Sequence, residues 1–135
     1  FEYHKEIAED VDANNVYLPS MIVQIFAENA LKHGLRPIKP EEGRLRKLTI
    51  RVSRERQATL VEVMDNGNGL HSRMDTTGSQ TGSRVVRQTI QMLNESNKNK
   101  ITFGRGNWKQ DGESGCRSWI LLPDIYNYQL NSQDY

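Results

Sequence analysis

Hydrophobic and polar positions change period several times along this chain, and each change marks an element. Phe1, Tyr3, Lys5 and Ile7 alternate with Glu2, His4 and Glu6, the two-residue period of a strand at a sheet edge. Turn-prone and acidic residues follow from Glu9 to Asn15. Leu18-Pro19-Ser20 then opens a helix, with proline tolerated in its first turn. Ile22, Ile25, Phe26, Asn29 and His33 recur at steps of three and four, so they share one helix face. Gly34 is expected to end that helix, and Pro37 and Pro40 to keep it from resuming. A polar loop spans Leu35 to Arg46.

The period then returns to two. Leu48, Ile50 and Val52 form one alternating run, and Val61 and Val63 another, joined by the polar Arg54-Glu55-Arg56-Gln57. This predicts an antiparallel hairpin whose second strand runs into Asp65. Residues Leu70 to Gly82, rich in Ser, Thr and Gly, read as a mobile loop. Val86, Ile90 and Leu93 give a second helix its apolar stripe. Lys100 to Phe103 and Arg117 to Leu122 read as two strands, separated by a glycine-rich loop from Gly104 to Gly115. From Asp124 a polar tail with scattered aromatics is expected to pack loosely or fray. The order is strand, helix, hairpin, loop, helix, hairpin. It predicts an α+β fold, a two-layer α/β sandwich with a mixed sheet covered on one face by helices. Residues 1–123 form the domain and 124–135 the tail.

Composition narrows the partners. With 135 residues the chain fits one domain with a real core. Charge is nearly balanced, 18 Lys+Arg against 17 Asp+Glu, so bulk electrostatics nominate no polyanion. Lys98, Lys100, Arg105, Lys109 and Arg117 cluster late, but acids are interspersed, and no direct nucleic-acid contact is expected. Cys116 is the single cysteine, which excludes an internal disulfide and a Cys-pair zinc site. No membrane-length apolar run is present. The chain opens on Phe1, inside a strand-like pattern, and reads as a fragment cut from a longer protein.

Two stretches carry chemistry. In Glu28-Asn29-Ala30-Leu31-Lys32-His33-Gly34, an acid, an amide, an ammonium and an imidazole fall within two helical turns. Oxygen ligands suit Mg²⁺, which keeps several waters and shares phosphate oxygens, while Lys32 and His33 offset phosphate charge. The plainer reading is a helix ending in polar residues. In Asp65-Asn66-Gly67-Asn68-Gly69, an acid at a strand's end is followed by glycines. Asn-Gly is a strong turn signal, yet a long loop follows instead of a prompt partner strand. An acid there, with glycines admitting a ligand to the backbone, is a good reader of an exocyclic amine. Gly78-Ser79-Gln80-Thr81-Gly82-Ser83 leads into the second helix, where N–H groups bind phosphate, although flexible linkers look the same. There is no Gly-x4-Gly-Lys-Ser/Thr loop, no complete Gly-x-Gly-x-x-Gly, no His-Glu-x-x-His and no Gly-x-Ser-x-Gly.

Together these residues resemble the GHKL ATPase superfamily, and within it the ATP-binding domain of sensor histidine kinases of the LytS/YehU type. Leu18 to Gln24 leading into Glu28–Gly34 is similar to that group's N box. Asp65 to Gly69 is similar to its G1 box, and Gly78 to Ser83 running into Val85–Ile90 to its G2 box. Gly115-Cys116-Arg117 through Pro123 is similar to its closing strand. The resemblance spans Phe1 to about Pro123. It implies a Bergerat fold that binds ATP and Mg²⁺, with Asn29 as the metal ligand and Asp65 accepting from the adenine amine. It implies that Gly67 and Gly69 shape the adenine pocket, that Gly78 and Gly82 belong to the lid anchor, and that Lys32 and His33 lie near the phosphates. Glu28 would polarise the attacking group. The γ-phosphate would pass to a histidine on a separate phosphoacceptor helix, from the same chain or a dimer mate, and on to a cognate response regulator. His4, His33 and His71 all lie outside such a helix, so the fragment alone is not expected to autophosphorylate. The parent would be a membrane-anchored homodimer with this domain on the cytoplasmic side of the bacterial inner membrane. The chain departs from the pattern at Gln80, Ser83 and Cys116, where a middle glycine, a leucine and a threonine are usual. A side chain at position 80 narrows the backbone conformations available next to a phosphate. Two alternatives follow: a degenerate module that regulates by contact, and a conformational ATPase or anti-sigma-type serine kinase.

Overall fold

The computed structural model describes residues 1–12, 20–39, 42–68 and 78–129. Its strands are β1 (Glu2–Ile7), β2 (Lys47–Arg54), β3 (Ala58–Asp65), β4 (Thr102–Gln110) and β5 (Glu113–Pro123). Its helices are α1 (Ser20–Asn29), which continues as a π-helical segment Ala30–Leu35, and α2 (Gly78–Asn94). The strands form one sheet in the order β1-β2-β3-β5-β4. β1 runs parallel to β2, with Tyr3 beside Leu48 and Ile7 beside Val52. The other pairings are antiparallel. The α+β sandwich and mixed sheet expected from the order of elements are therefore the observed architecture.

Alternation along the strands decides which face is covered. Leu48, Val61, Val63, Ile120 and Leu122 point to the helices and join Ile22, Phe26, Val86, Ile90 and Leu93 in one buried cluster. Burial of each such side chain contributes about 1.5–3 kcal/mol. The opposite face carries Thr49, Arg51, Glu62, Arg117 and Trp119 and, among the described residues, no helix. There Arg117 forms an ion pair with the buried Glu62 and lies 5.8 Å from the Trp119 ring centre. Trp119 in turn covers Gly104, where a methyl would come within 2.8 Å of the indole.

Four sequence expectations change. Gly34 does not stop the first helix, which runs on through a π-helical segment to Leu35. The wide turn lets His33, Gly34 and Leu35 all be buried in succession, because tertiary packing holds them where an unsupported glycine would break the helix. Gly78 and Gly82 fall inside α2 and not in a loop before it. Glycine costs about 1 kcal/mol in a helix interior, and the buried Val86, Ile90 and Leu93 offset it. The stretch 104–115 is a long hairpin, not a loop, and closes on a two-residue turn at Asp111 (φ 53°) and Gly112 (φ 82°). Finally, residues 124–129 do not fray from Asp124 onward. Arg54 clasps Asp124 through two contacts of 2.6 and 2.5 Å, Tyr126 Oη donates to Asn94 Oδ1 at 2.6 Å, and Asn97 bonds both ways with the Asn127 backbone.

Candidate functional site

The residues of the Glu28–Gly34 stretch leave the helix in different directions. Glu28 is exposed and accepts from Gln24 Nε2 at 3.1 Å, one turn back. Lys32 is also exposed. Asn29 is half-buried and lines a cavity of about 310 Å³ between α1, α2 and the β4–β5 hairpin. His33 is buried with Gly34 and Leu35 and does not line that cavity. The helix thus offers one amide inward, an acid and an ammonium outward, and an imidazole beneath.

Asp65 ends β3 and is only 2% exposed. Its Oδ1 accepts from Gly67 N–H at 2.8 Å and from Cys116 N–H at 3.4 Å. A buried carboxylate is costly unless its lone pairs find donors, and these two amides supply them. Three glycines make the approach possible. A methyl on Gly34 would sit 2.6 Å from Asp65 Oδ1, and one on Gly67 would sit 2.7 Å from the Gly34 carbonyl carbon. One on Gly115 would sit 2.7 Å from the Asp65 carbonyl carbon. The two motifs and the start of the closing strand therefore meet backbone to backbone around one carboxylate. Asn66 locks the turn after it, accepting from Lys47 N–H at 2.8 Å and donating to Leu45 O at 2.7 Å. Gly69 and His71 lie outside the described residues.

The cavity beside Asn29 is lined by the apolar Phe26, Val86 and Phe103 and by the polar Asn29, Ser118, Arg87 and Arg105. Two arginines line it, and among the described residues neither Asp65 nor any other acid does. Apolar walls with a few convergent polar groups are what a small-molecule site needs, and the charge balance favours an anion. In the sequence Arg105 stands out only as one of the late basic cluster, with no place in a nucleotide site, and Arg87 is a helix residue. The available signal is that Arg87 adjoins Val86, at the border of the apolar stripe. Among the described residues no three His, Cys, Asp or Glu converge as a metal site. A Mg²⁺ at Asn29 would therefore take most of its oxygens from phosphate and water, which is its usual preference.

Comparison with known proteins bears on the fold. No family profile matches the sequence, and no curated protein does. Solved structures do match. The blue-light activated histidine kinase of Erythrobacter litoralis aligns with a TM-score of 0.56 at 20% identity, over 90% of this chain and 35% of that one. A nucleotide-free form of the catalytic domain of histidine kinase ThkA aligns with a TM-score of 0.56 at 15% identity, over 91% of this chain and 78% of that one. A second nucleotide-free ThkA form gives 0.55 at 10% identity, over 93% and 81%. The chain has the fold of histidine kinase catalytic domains. It spans about a third of the Erythrobacter kinase and most of the ThkA domain.

Proposed function

We propose that this chain is the ATP-binding catalytic domain of a sensor histidine kinase of the LytS/YehU type. The observation that carries the reading is the convergence of Gly34, Gly67 and Gly115 on the buried Asp65, within this fold. Three chain segments far apart in sequence give up their side chains where they meet around Asp65: Gly34 against its carboxylate, Gly67 against the Gly34 backbone, and Gly115 against the Asp65 main-chain carbonyl. In this reading Asp65 accepts the adenine amine, helped by Gly67 and Gly69. Asn29 is the metal ligand, and Mg²⁺ when bound supplies charge neutralisation on the phosphates. Arg87 and Arg105 hold the phosphate side of the cavity, and Gly78 and Gly82 give its backbone closeness at the start of α2. Glu28 and Lys32, both solvent-facing, attend the transferring phosphoryl group, and the buried His33 supports the helix beneath them.

Phosphoryl transfer asks mainly for positioning and charge stabilisation. The acceptor is an imidazole on a separate phosphoacceptor helix, from the same chain or a dimer mate. A cognate response regulator is the next acceptor. A membrane-anchored homodimeric parent with this domain on the cytoplasmic side belongs to the same proposal. Among the described residues no helix is long and apolar enough to cross a membrane.

Calorimetric titration with Mg·ADP tests the site. Asn29→Ala should weaken binding about tenfold or more, and only when Mg²⁺ is present; Asp65→Asn should weaken it with or without the metal. Variants that fold and bind as the parent does would overturn the assignment. Adding a cognate phosphoacceptor domain with Mg·ATP should yield acid-labile phosphate. Phosphoserine on an added partner would instead identify a serine kinase. A second reading, a degenerate module acting by contact, is favoured by how little of Asp65 is exposed and by the side chains at Gln80 and Ser83. Absence of both heat and thermal shift at millimolar Mg·ADP would establish that one.

A further inference from the structure

Trp108 has no part in the site described above, yet it bonds to its central residue. β4 and β5 run on past the end of β3. The last β3–β5 pair is Met64 with Arg117, while β4 and β5 stay paired as far as Gln110 and Glu113. In that overhang Trp108 stands opposite Gly115. Its indole crosses β5 at this bare position, and Nε1 donates to the main-chain oxygen of Asp65 at 2.8 Å. Any side chain at position 115 would strike the same carbonyl. Lys47 Nζ reaches Glu113 Oε1 at 3.4 Å, tying the overhang to β2.

Asp65 is therefore gripped from two sides. Gly67 and Cys116 hold its carboxylate on the helix face. Trp108 holds its peptide from the opposite face of the sheet, where Trp108 and Asp65, with Thr49 and Met64, line a second cavity of about 200 Å³. A hydrogen bond weakens steeply with a few tenths of an ångström or a poor angle. The peptide after Asp65 sets where its carboxylate points, so a donor fixed on that peptide's oxygen fixes the carboxylate as well.

We infer that Trp108 is a positioning residue for Asp65 and sets how strongly the site prefers purines bearing a 6-amino group. The inference rests on the reading of Asp65 as the adenine acceptor. A site built around one hydrogen bond rejects ligands that lack the donor. Loosening the acceptor lowers affinity for the amine-bearing ligand and leaves the amine-free one nearly untouched.

Competition calorimetry with Mg·ADP and Mg·IDP, on the full 135-residue chain, reads this directly. Trp108→Phe keeps a ring and removes the N–H. The ADP-over-IDP preference should fall about fivefold, the worth of one ordinary hydrogen bond, with IDP affinity unchanged. Trp119→Phe, on the same face but packed on Gly104, should leave the preference intact even if it lowers the melting temperature. Equal loss for both ligands, or the same change in both variants, would mean a merely structural role and overturn the inference. A parent that binds neither ligand would overturn the nucleotide reading itself. If Trp108→Phe does not fold, the Trp119→Phe chain retains Trp108 as its only indole. Its emission should then shift more with ADP than with IDP, and identical emission would count against the proposal.

Discussion

A single methyl group added at Gly34 sets two effects of opposite sign against each other. Alanine is favoured over glycine in a helix by about 1 kcal/mol, and Gly34 lies in a helical segment. The new Cβ, however, would sit 2.6 Å from Asp65 Oδ1. An ordinary carbon–oxygen approach is about 3.4 Å, so something must move by roughly 0.8 Å. The Asp65 side chain cannot swing freely, because it is buried and its Oδ1 accepts from Gly67 and Cys116. Overpacking costs about 1–3 kcal/mol, and weakening hydrogen bonds to a charged group adds about 1.5–3 kcal/mol. The clash wins, and Gly34→Ala should destabilise the domain by about 1.5–5 kcal/mol after the helical gain is subtracted. Urea unfolding at unchanged slope measures it. Asp65→Ala in the same chain removes the obstacle, so the double variant should be more stable than the two single losses predict, by at least about 1 kcal/mol. A Gly34→Ala chain within about 0.5 kcal/mol of the parent, or an additive cycle, would refute the claimed contact.

Two further outcomes are expected. Arg54's hydrogen bonds hold the Asp124 carboxyl below its ordinary value, and nearby positive charge adds to this. A lowered folded pKa means the clasp stabilises fully above the unfolded value of about 3.9 and is lost as pH falls through the folded one. Amide relaxation should therefore show residues 124–129 loosening only in that acidic window, and Arg54→Ala should return Asp124 to ordinary titration; a titration unmoved by Arg54→Ala would count against the clasp. Asn97 donates to Leu93 O at 2.8 Å and Asn127 O at 2.9 Å, and accepts from Asn127 N–H at 2.8 Å. Asn97→Ala leaves these groups without partners and should cost about 2–3 kcal/mol in thermal or urea unfolding, with Tyr126 and Tyr128 exposed; a loss below about 1 kcal/mol would refute that accounting.

What could be read from sequence follows from what each element owes to its neighbours. The β2–β3 hairpin was legible because Leu48, Ile50, Val52, Val61 and Val63 keep strict alternation, and that set faces the core, with Leu48, Val61 and Val63 buried and Ile50 and Val52 half-buried against them. The β4–β5 hairpin was not, because Gly104, Gly106 and Gly115 interrupt the pattern. At two of those positions the missing side chain makes room, for Trp119 and for Asp65. The signal passed over was Asp111-Gly112, the dipeptide that suits a two-residue turn with both φ angles positive. Asn29 and Asp65 could be singled out because a polar group on an apolar stripe, or an acid at a strand's end, is conspicuous in one dimension. Arg105, Gly115 and Trp108 acquire meaning only when the β4–β5 hairpin folds over, a fact that no local window contains. The parallel pairing of β1 with β2 is likewise a long-range choice, made across α1.

The π-helical segment at Ala30–Leu35 has a consequence for how this chain is lined up with others. A π turn closes its hydrogen bond one residue later than an α turn. A relative that makes the same corner with α geometry reaches it in one residue fewer. Matched without a gap, Gly34 would fall opposite that relative's next position, and the glycine that admits Asp65 would look substituted. A single-residue gap between Ala30 and Leu35 restores the correspondence, and at identities of 10–20% its placement decides which residues are counted as shared.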